Sequence, residues 1–142
     1  MKKELHQILE HIYKHDEIGI RELSGMMSRK HGDHRDFYGL TALLEAGYIG
    51  FTGPISKQKG GSVNVYNQVR AFQAYSQGMD NPTYDNTTVM PSNLDSHLYI
   101  APKSIEYFNL RKEQRTGWYL VSILTLVCSI ASGVVVSVLT KT

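Results

Sequence analysis

Cysteine is almost missing from this chain. The single one, Cys128, lies inside an apolar run, so no disulfide framework and no cysteine-based metal site can form within one copy. A strong charge of one sign is missing too. The formal net charge is +2, too small to imply a nucleic-acid partner by itself. The opening "MKKELHQILEHIY" is basic but carries charged and polar residues where an export signal needs a continuous apolar stretch. The N-terminus is therefore expected not to be exported. No serine or threonine sits in a nucleophile-elbow or lysine-paired pattern, and Gly60-Gly61 lacks the Lys-Ser/Thr of a phosphate loop. His11 and His15 have the four-residue spacing of a helical metal pair, yet only Asp16 stands near as a third ligand. His31 and His34 flank a basic junction and read as solvated. These absences predict a protein that is not an enzyme, with no catalytic residues, no cofactor and no metal.

What the chain does have is one long apolar run. Residues 118–139 include no charged side chain and no proline. As a helix the run rises about 33 Å, which matches a hydrocarbon core of about 30 Å. Trp118 and Tyr119 stand at one end, where amphipathic rings favour the headgroup level. Lys103, Arg111, Lys112 and Arg115 precede the run and only Lys141 follows it. The positive-inside bias then predicts a single-pass, tail-anchored protein of a cell (inner) membrane, with residues 1–116 in the cytoplasm and 140–142 as a short far-side tail. Ser122, Thr125, Ser129, Gly133 and Ser137 recur every three or four residues along this segment. Such a stripe lets helices approach closely, so a homodimer or a membrane-protein partner through the span is expected; equally, small residues are common in spans.

The N-terminal part carries shorter periods. Leu5, Ile8, Leu9 and Ile12 share one face of a first helix, and Ile20, Leu23, Met26 and Met27 share that of a second. Gly32 suits the left-handed position after it. Asp33 makes an N-cap for a third helix with Asp36 in its first turn, and that helix buries Phe37, Leu40, Leu43 and Leu44 before stopping near Gly47. "YIGFTG" reads as a strand, "PISKQKGG" as a loop, and "SVNVYNQV" alternates as a second strand. Residues 78–97 have no sustained period and read as a polar loop or an extension of the hairpin. Within 98–117 a further helix follows from Pro102 to Arg115, with Pro102 in its first turn and a hinge at Thr116-Gly117.

Three helices followed by a hairpin is the order of a winged helix, and at "ALLEAGYIGF" the chain resembles the winged helix-turn-helix superfamily in detail. The later "LYIAPKSIEYF" resembles the strand and helix that often follow the wing in bacterial members, with Ala101 and Ser104 where those usually have Thr and Gly. The expected fold class is α+β: a winged helix over 1–77, with a three-helix core and a β-hairpin wing, then a juxtamembrane helix and one transmembrane α-helix.

The resemblance implies duplex DNA as a partner, with the third helix in the major groove and the wing on the backbone. Arg29 and Lys30 at the end of helix two, His34, Arg35 and Tyr38 on helix three, and Lys57 and Lys59 on the wing would make those contacts. Against this, the outward face of helix three carries Arg35, Tyr38, Gly39, Ala42 and Ala46 with Glu45 nearby, a small flat surface suited to docking another protein. Residues 1–77 hold ten Lys/Arg against eight Asp/Glu, which is hardly a nucleic-acid footprint. Two expectations follow: a membrane-tethered DNA-binding or regulatory protein, and a membrane-anchored protein–protein interaction adaptor without DNA binding.

Overall fold

In chain order the elements are α1 (Lys3–His15), β1 (Glu17–Gly19), α2 (Ile20–Met26), a 3-10 turn (His34–Phe37) leading into α3 (Tyr38–Glu45), and β2 (Ile49–Phe51). Then come α4 (Val65–Gln77), β3 (Thr83–Tyr84), β4 (Thr87–Thr88), a second 3-10 turn (Pro91–Asn93), β5 (His97–Ile100) and α5 (Pro102–Leu139). The computed structural model describes residues 1–139, with side chains through Leu126. Contacts divide the chain into two units, Met1–Ile105 and Glu106–Thr142.

The first unit is α+β. Its three-stranded sheet is antiparallel with the order β1-β5-β2, so the strand made last lies in the middle. Ile18 and Phe51 both register on Leu98, which is fully buried between them. Strand alternation explains this: Ile18, Leu98, Ile49 and Phe51 point into the core, while Tyr99 points outward. On the helical side, α1 contributes Leu9 and Ile12, α2 contributes Ile20 and Leu23, and α3 contributes Leu40 and Leu43. Each such side chain removed from water is worth roughly 1.5–3 kcal/mol.

The signals at both ends of α3 work as the sequence predicts. The Asp33 carboxylate accepts the Arg35 backbone N–H at 2.9 Å, although the first turn it caps is 3-10 rather than α. At the other end Gly47 takes φ +74°, and the Tyr48 N–H donates to the Leu43 carbonyl at 2.9 Å. This is the left-handed C-terminal stop that glycine adopts without steric cost.

The second wing strand is not formed. The segment predicted as a strand begins α4 instead, and only an isolated bridge between Lys57 and Val63 marks the hairpin. Asn64 caps the helix by accepting the Asn67 N–H at 3.3 Å. Alternation over Val63 and Val65 is too short to compete with the spacing of Val65, Val69 and Phe72, which puts Val69 and Phe72 on one fully buried helical face. Phe72 then meets Phe51 edge-to-face at 5.4 Å and Phe37 at 6.3 Å. The 78–97 segment, predicted as an irregular loop, contains the β3–β4 hairpin.

α4 also changes the relation of the first three helices. α2 packs on α4 and β1, whereas α3 packs on α1 and α4. Residues 27–33 separate α2 from the 3-10 turn, longer than the three- or four-residue link of a helix-turn-helix. Met26, expected inside, is exposed.

The expectation of a transmembrane helix over 118–139 is corrected: among the described residues no helix is long and apolar enough to cross a membrane. Residues 118–126, the part of the apolar run whose side chains are described, rise about 13 Å, under half of a hydrocarbon core of about 30 Å. The turns before them carry Arg111, Lys112, Glu113 and Arg115. With the span go the single-pass tail anchor and the inner-membrane localisation with a cytoplasmic N-terminal part. The expected hinge at Thr116-Gly117 is absent, since α5 runs through it and the Thr116 hydroxyl donates to the Lys112 carbonyl at 3.0 Å.

Candidate interaction surface

The 3-10 turn, the first turns of α4 and the β3–β4 hairpin bring a set of aromatic and charged side chains to one surface. His34 Nδ1 lies 3.0 Å from the Tyr84 hydroxyl, and the His34 ring contacts the rings of Tyr84 (5.7 Å) and Tyr38 (6.3 Å). Beside them Arg70 lies over the Tyr66 ring, 3.2 Å from its centroid, and donates from Nη1 to the Tyr66 carbonyl at 2.9 Å. Its Nε is ion-paired with Asp85 at the hairpin tip. Asp85 and Asn86 both take positive φ, 43° and 61°, the conformation a two-residue hairpin turn demands and that Asp and Asn tolerate. Tyr38 and Tyr66 remain 45% and 61% exposed. Exposed tyrosines set around arginine and histidine have the composition of interface hot spots.

The predicted nucleic-acid contacts divide into three groups. His34, Arg35 and Tyr38 come together here. Arg35, however, grips its own cap: Nε donates to both Asp33 oxygens at 3.0 Å and Nη2 to Oδ2 at 2.8 Å. That hydrogen bond, with the Arg35 backbone N–H, holds the Asp33 carboxyl down to about 2. Lys30 is ion-paired with Glu4 on α1; the shared hydrogen bond lowers the Glu4 pKa and raises that of Lys30. Arg29 is turned inward. Its Nη2 donates to Gln73 Oε1 at 2.5 Å, its Nε stands 3.5 Å from Asp36 Oδ2, and its guanidinium lies 5.3 Å from the Phe37 centroid. Burial alone would raise the Asp36 pKa, but backbone N–H groups of His31 and Gly32 and the Arg29 charge outweigh it and keep it low. Lys57 and Lys59 stand apart on the 57–63 hairpin, exposed, with no carboxylate partner among the described residues.

Tyr38 also borders a groove of about 540 Å³ between α1, the end of α2 and α3. Leu5, Ile8, Met26 and Met27 line it, with Lys30 and Arg35 at its edge. Methionine adapts to varied apolar partners.

Sequence reasoning missed Tyr66, Arg70, Tyr84 and Asp85. The Asp85-Asn86 pair between two threonine-containing stretches is the one local hint, since both residues accept the left-handed turn. Of the stripe predicted for association, Ser122 and Thr125 return their hydroxyls to carbonyls of their own helix, Trp118 (2.9 Å) and Val121 (2.8 Å). Ser129, Gly133 and Ser137 lie outside the described side chains. Among the described residues no three His, Cys, Asp or Glu side chains converge to hold a metal ion, His11 and His15 included. Comparison with protein-family models, with curated proteins and with solved structures returned no match for the chain.

Proposed function

We propose that residues 1–105 form a protein-recognition module that docks a partner through Tyr38, the neighbouring Tyr66 and Tyr84, and the methionine-lined groove beside them. The observation that carries this reading is the state of the cations. Arg29, Lys30 and Arg35 are each held by a carboxylate of the same chain, while Tyr38 stands half exposed among them. A phosphate would have to displace those carboxylates, and the local gain in counterion release would be small. An apolar or aromatic partner surface needs no such exchange.

A second reading, duplex DNA, draws support from two observations. A small antiparallel sheet beside three helices is compatible with the winged helix that the resemblance implies, although the segment expected as the second wing strand begins α4. Lys57 and Lys59 are free to meet a phosphate backbone.

One experiment separates the two. With a photocrosslinking residue replacing Tyr38 in the full-length chain, a discrete protein adduct is expected in cells and none from the same residue at Glu22. Fluorescence anisotropy with random-sequence duplex at low salt should show no binding. A salt-dependent rise in anisotropy, weakened by Arg35→Ala and Lys57→Ala, would replace docking with DNA recognition.

A further inference from the structure

Residues 1–105 include four arginines. Three are paired with aspartate: Arg29 with Asp36, Arg35 with Asp33, Arg70 with Asp85. Arg21 is not; among the described residues it has no carboxylate within ion-pair distance. It stands in the first turn of α2 beside a cleft of about 550 Å³, well within the range of roughly 300–1,000 Å³ that small-molecule sites occupy. None of the residues of the Tyr38 surface lines it.

Arg21 is exposed, and its guanidinium passes close to Gly78. Arg21 Nη1 lies 3.0 Å from where a Cβ on Gly78 would be, and Cζ lies 3.3 Å from it. A side chain at that position would push the group away. Gly78 also takes φ +74°, which glycine adopts without strain. The α2 arginine therefore rests against the end of α4, its fork at the cleft. The cleft's apolar lining comes from the buried Ile20 and Tyr75, the half-buried Leu94 and the exposed Met79. His97, on β5, lines the same cleft and offers a ring N–H in either tautomer. Glu22 and Asp95 stand among the lining residues too, and neither pairs with Arg21 within 4 Å.

We propose that this cleft binds a small monocarboxylate with an apolar body, its carboxylate on the Arg21 fork and His97, its hydrocarbon part against Ile20, Met79 and Leu94. The planar guanidinium matches a carboxylate through two parallel hydrogen bonds. The apolar lining rewards a hydrophobic body. Glu22 and Asp95 repel any anion, and a phosphate dianion more than a singly charged carboxylate, so the two-point pairing with Arg21 has to outweigh them.

The test titrates the full-length protein with sodium benzoate and follows the Gly78 backbone N–H and the Arg21 Nε–H in 1H–15N spectra. Saturable shifts at both are expected, with inorganic phosphate binding more weakly. Arg21→Gln should weaken benzoate by about tenfold or more, the worth of one charge-assisted pair. Arg21→Lys, which keeps the charge and loses the fork, should fall between. Arg35→Gln, whose partner is Asp33, should leave the affinity unchanged. The proposal is overturned if benzoate gives no saturable shift, if Arg21→Gln binds it as well as the parent, or if phosphate binds as tightly as benzoate.

Discussion

Two arginine–aspartate pairs flank the tyrosine surface, and they differ in everything except their chemistry. Arg35 and Asp33 are two residues apart, in solvent, with the arginine side chain 54% exposed. Arg70 and Asp85 are fifteen apart, and the arginine side chain is 8% exposed under its partner hairpin. The first pair closes a turn that its own backbone has already made. The second ties one strand-turn-strand segment to a helix that is otherwise remote in sequence, so it restricts a long stretch of chain. An exposed local pair adds little to stability because water competes for both ions. In the second pair Asp85 is itself 49% exposed, but Arg70 is covered, so removing the aspartate leaves a covered charge without its counter-ion. Identical chemistry thus has a decorative consequence in one place and an architectural one in the other.

The largest test strikes the floor beneath both. Phe37 follows Arg35 in the 3-10 turn, Phe72 follows Arg70 on α4, and their rings meet at 6.3 Å. Phe72→Ala should cost about 3–5 kcal/mol in denaturant unfolding, because the void it leaves is bounded by the rigid rings of Phe37 and Phe51. Amide exchange would sharpen the contrast. Protection should fall across the β3–β4 hairpin, which depends on α4, while the Asp33–Arg35 turn keeps its own. Equal loss at both places would show that the local pair is not self-sufficient.

How much of this was legible follows the same division between local and distant. The third helix could be read because its signals are adjacent: Asp33 to start, Phe37, Leu40, Leu43 and Leu44 at helical spacing, Gly47 to stop. The helix start at Pro102 was legible for a similar reason, whereas the strand at His97–Ile100 followed only from the resemblance. α4 was misread because its first residues alternate, and its helical period emerges only when Val69 and Phe72 are counted together. The surface itself was half visible. His34, Arg35 and Tyr38 lie within five residues of one another, whereas Tyr66, Arg70, Tyr84 and Asp85 reach them only through tertiary packing. No spacing rule could have shown that Arg29 and Lys30 would be neutralised, because Asp36 and Glu4 become their partners by folding alone; only the Arg35–Asp33 pair is local.

A middle-sized effect is expected from Asp85→Asn. Asparagine keeps the shape and tolerates the same positive φ, so the variant removes charge and little else. Arg70 then stands buried with only the Tyr66 carbonyl and ring as partners. Stability should fall by less than for Phe72→Ala and by more than for any change at Asp33. The His34–Tyr84 contact should loosen, read as faster exchange at the Val89 N–H, which donates to the Pro82 carbonyl across the hairpin. If Asp85→Asn proves as mild as Asp33→Asn, burial does not separate the two pairs.

The smallest effect belongs to Asp33 and is best seen in pH. Its folded carboxyl sits at about 2 against an ordinary 3.8, held there by the Arg35 side chain and then by the Arg35 backbone N–H. A folded value below the unfolded one means that the folded state binds the proton less readily. The stabilisation is therefore complete above about 4 and is lost as the pH falls towards 2. Asp33→Asn separates the two causes, because asparagine still caps the turn but cannot pair with a cation. Its thermal midpoint should sit only slightly below the parent's at neutral pH, and the gap should close as the solution is taken from pH 4 to pH 2. A gap of the same size at pH 2 as at neutral pH would mean that asparagine caps the turn less well than aspartate, and the exposed ion pair would then be worth nothing measurable at any pH.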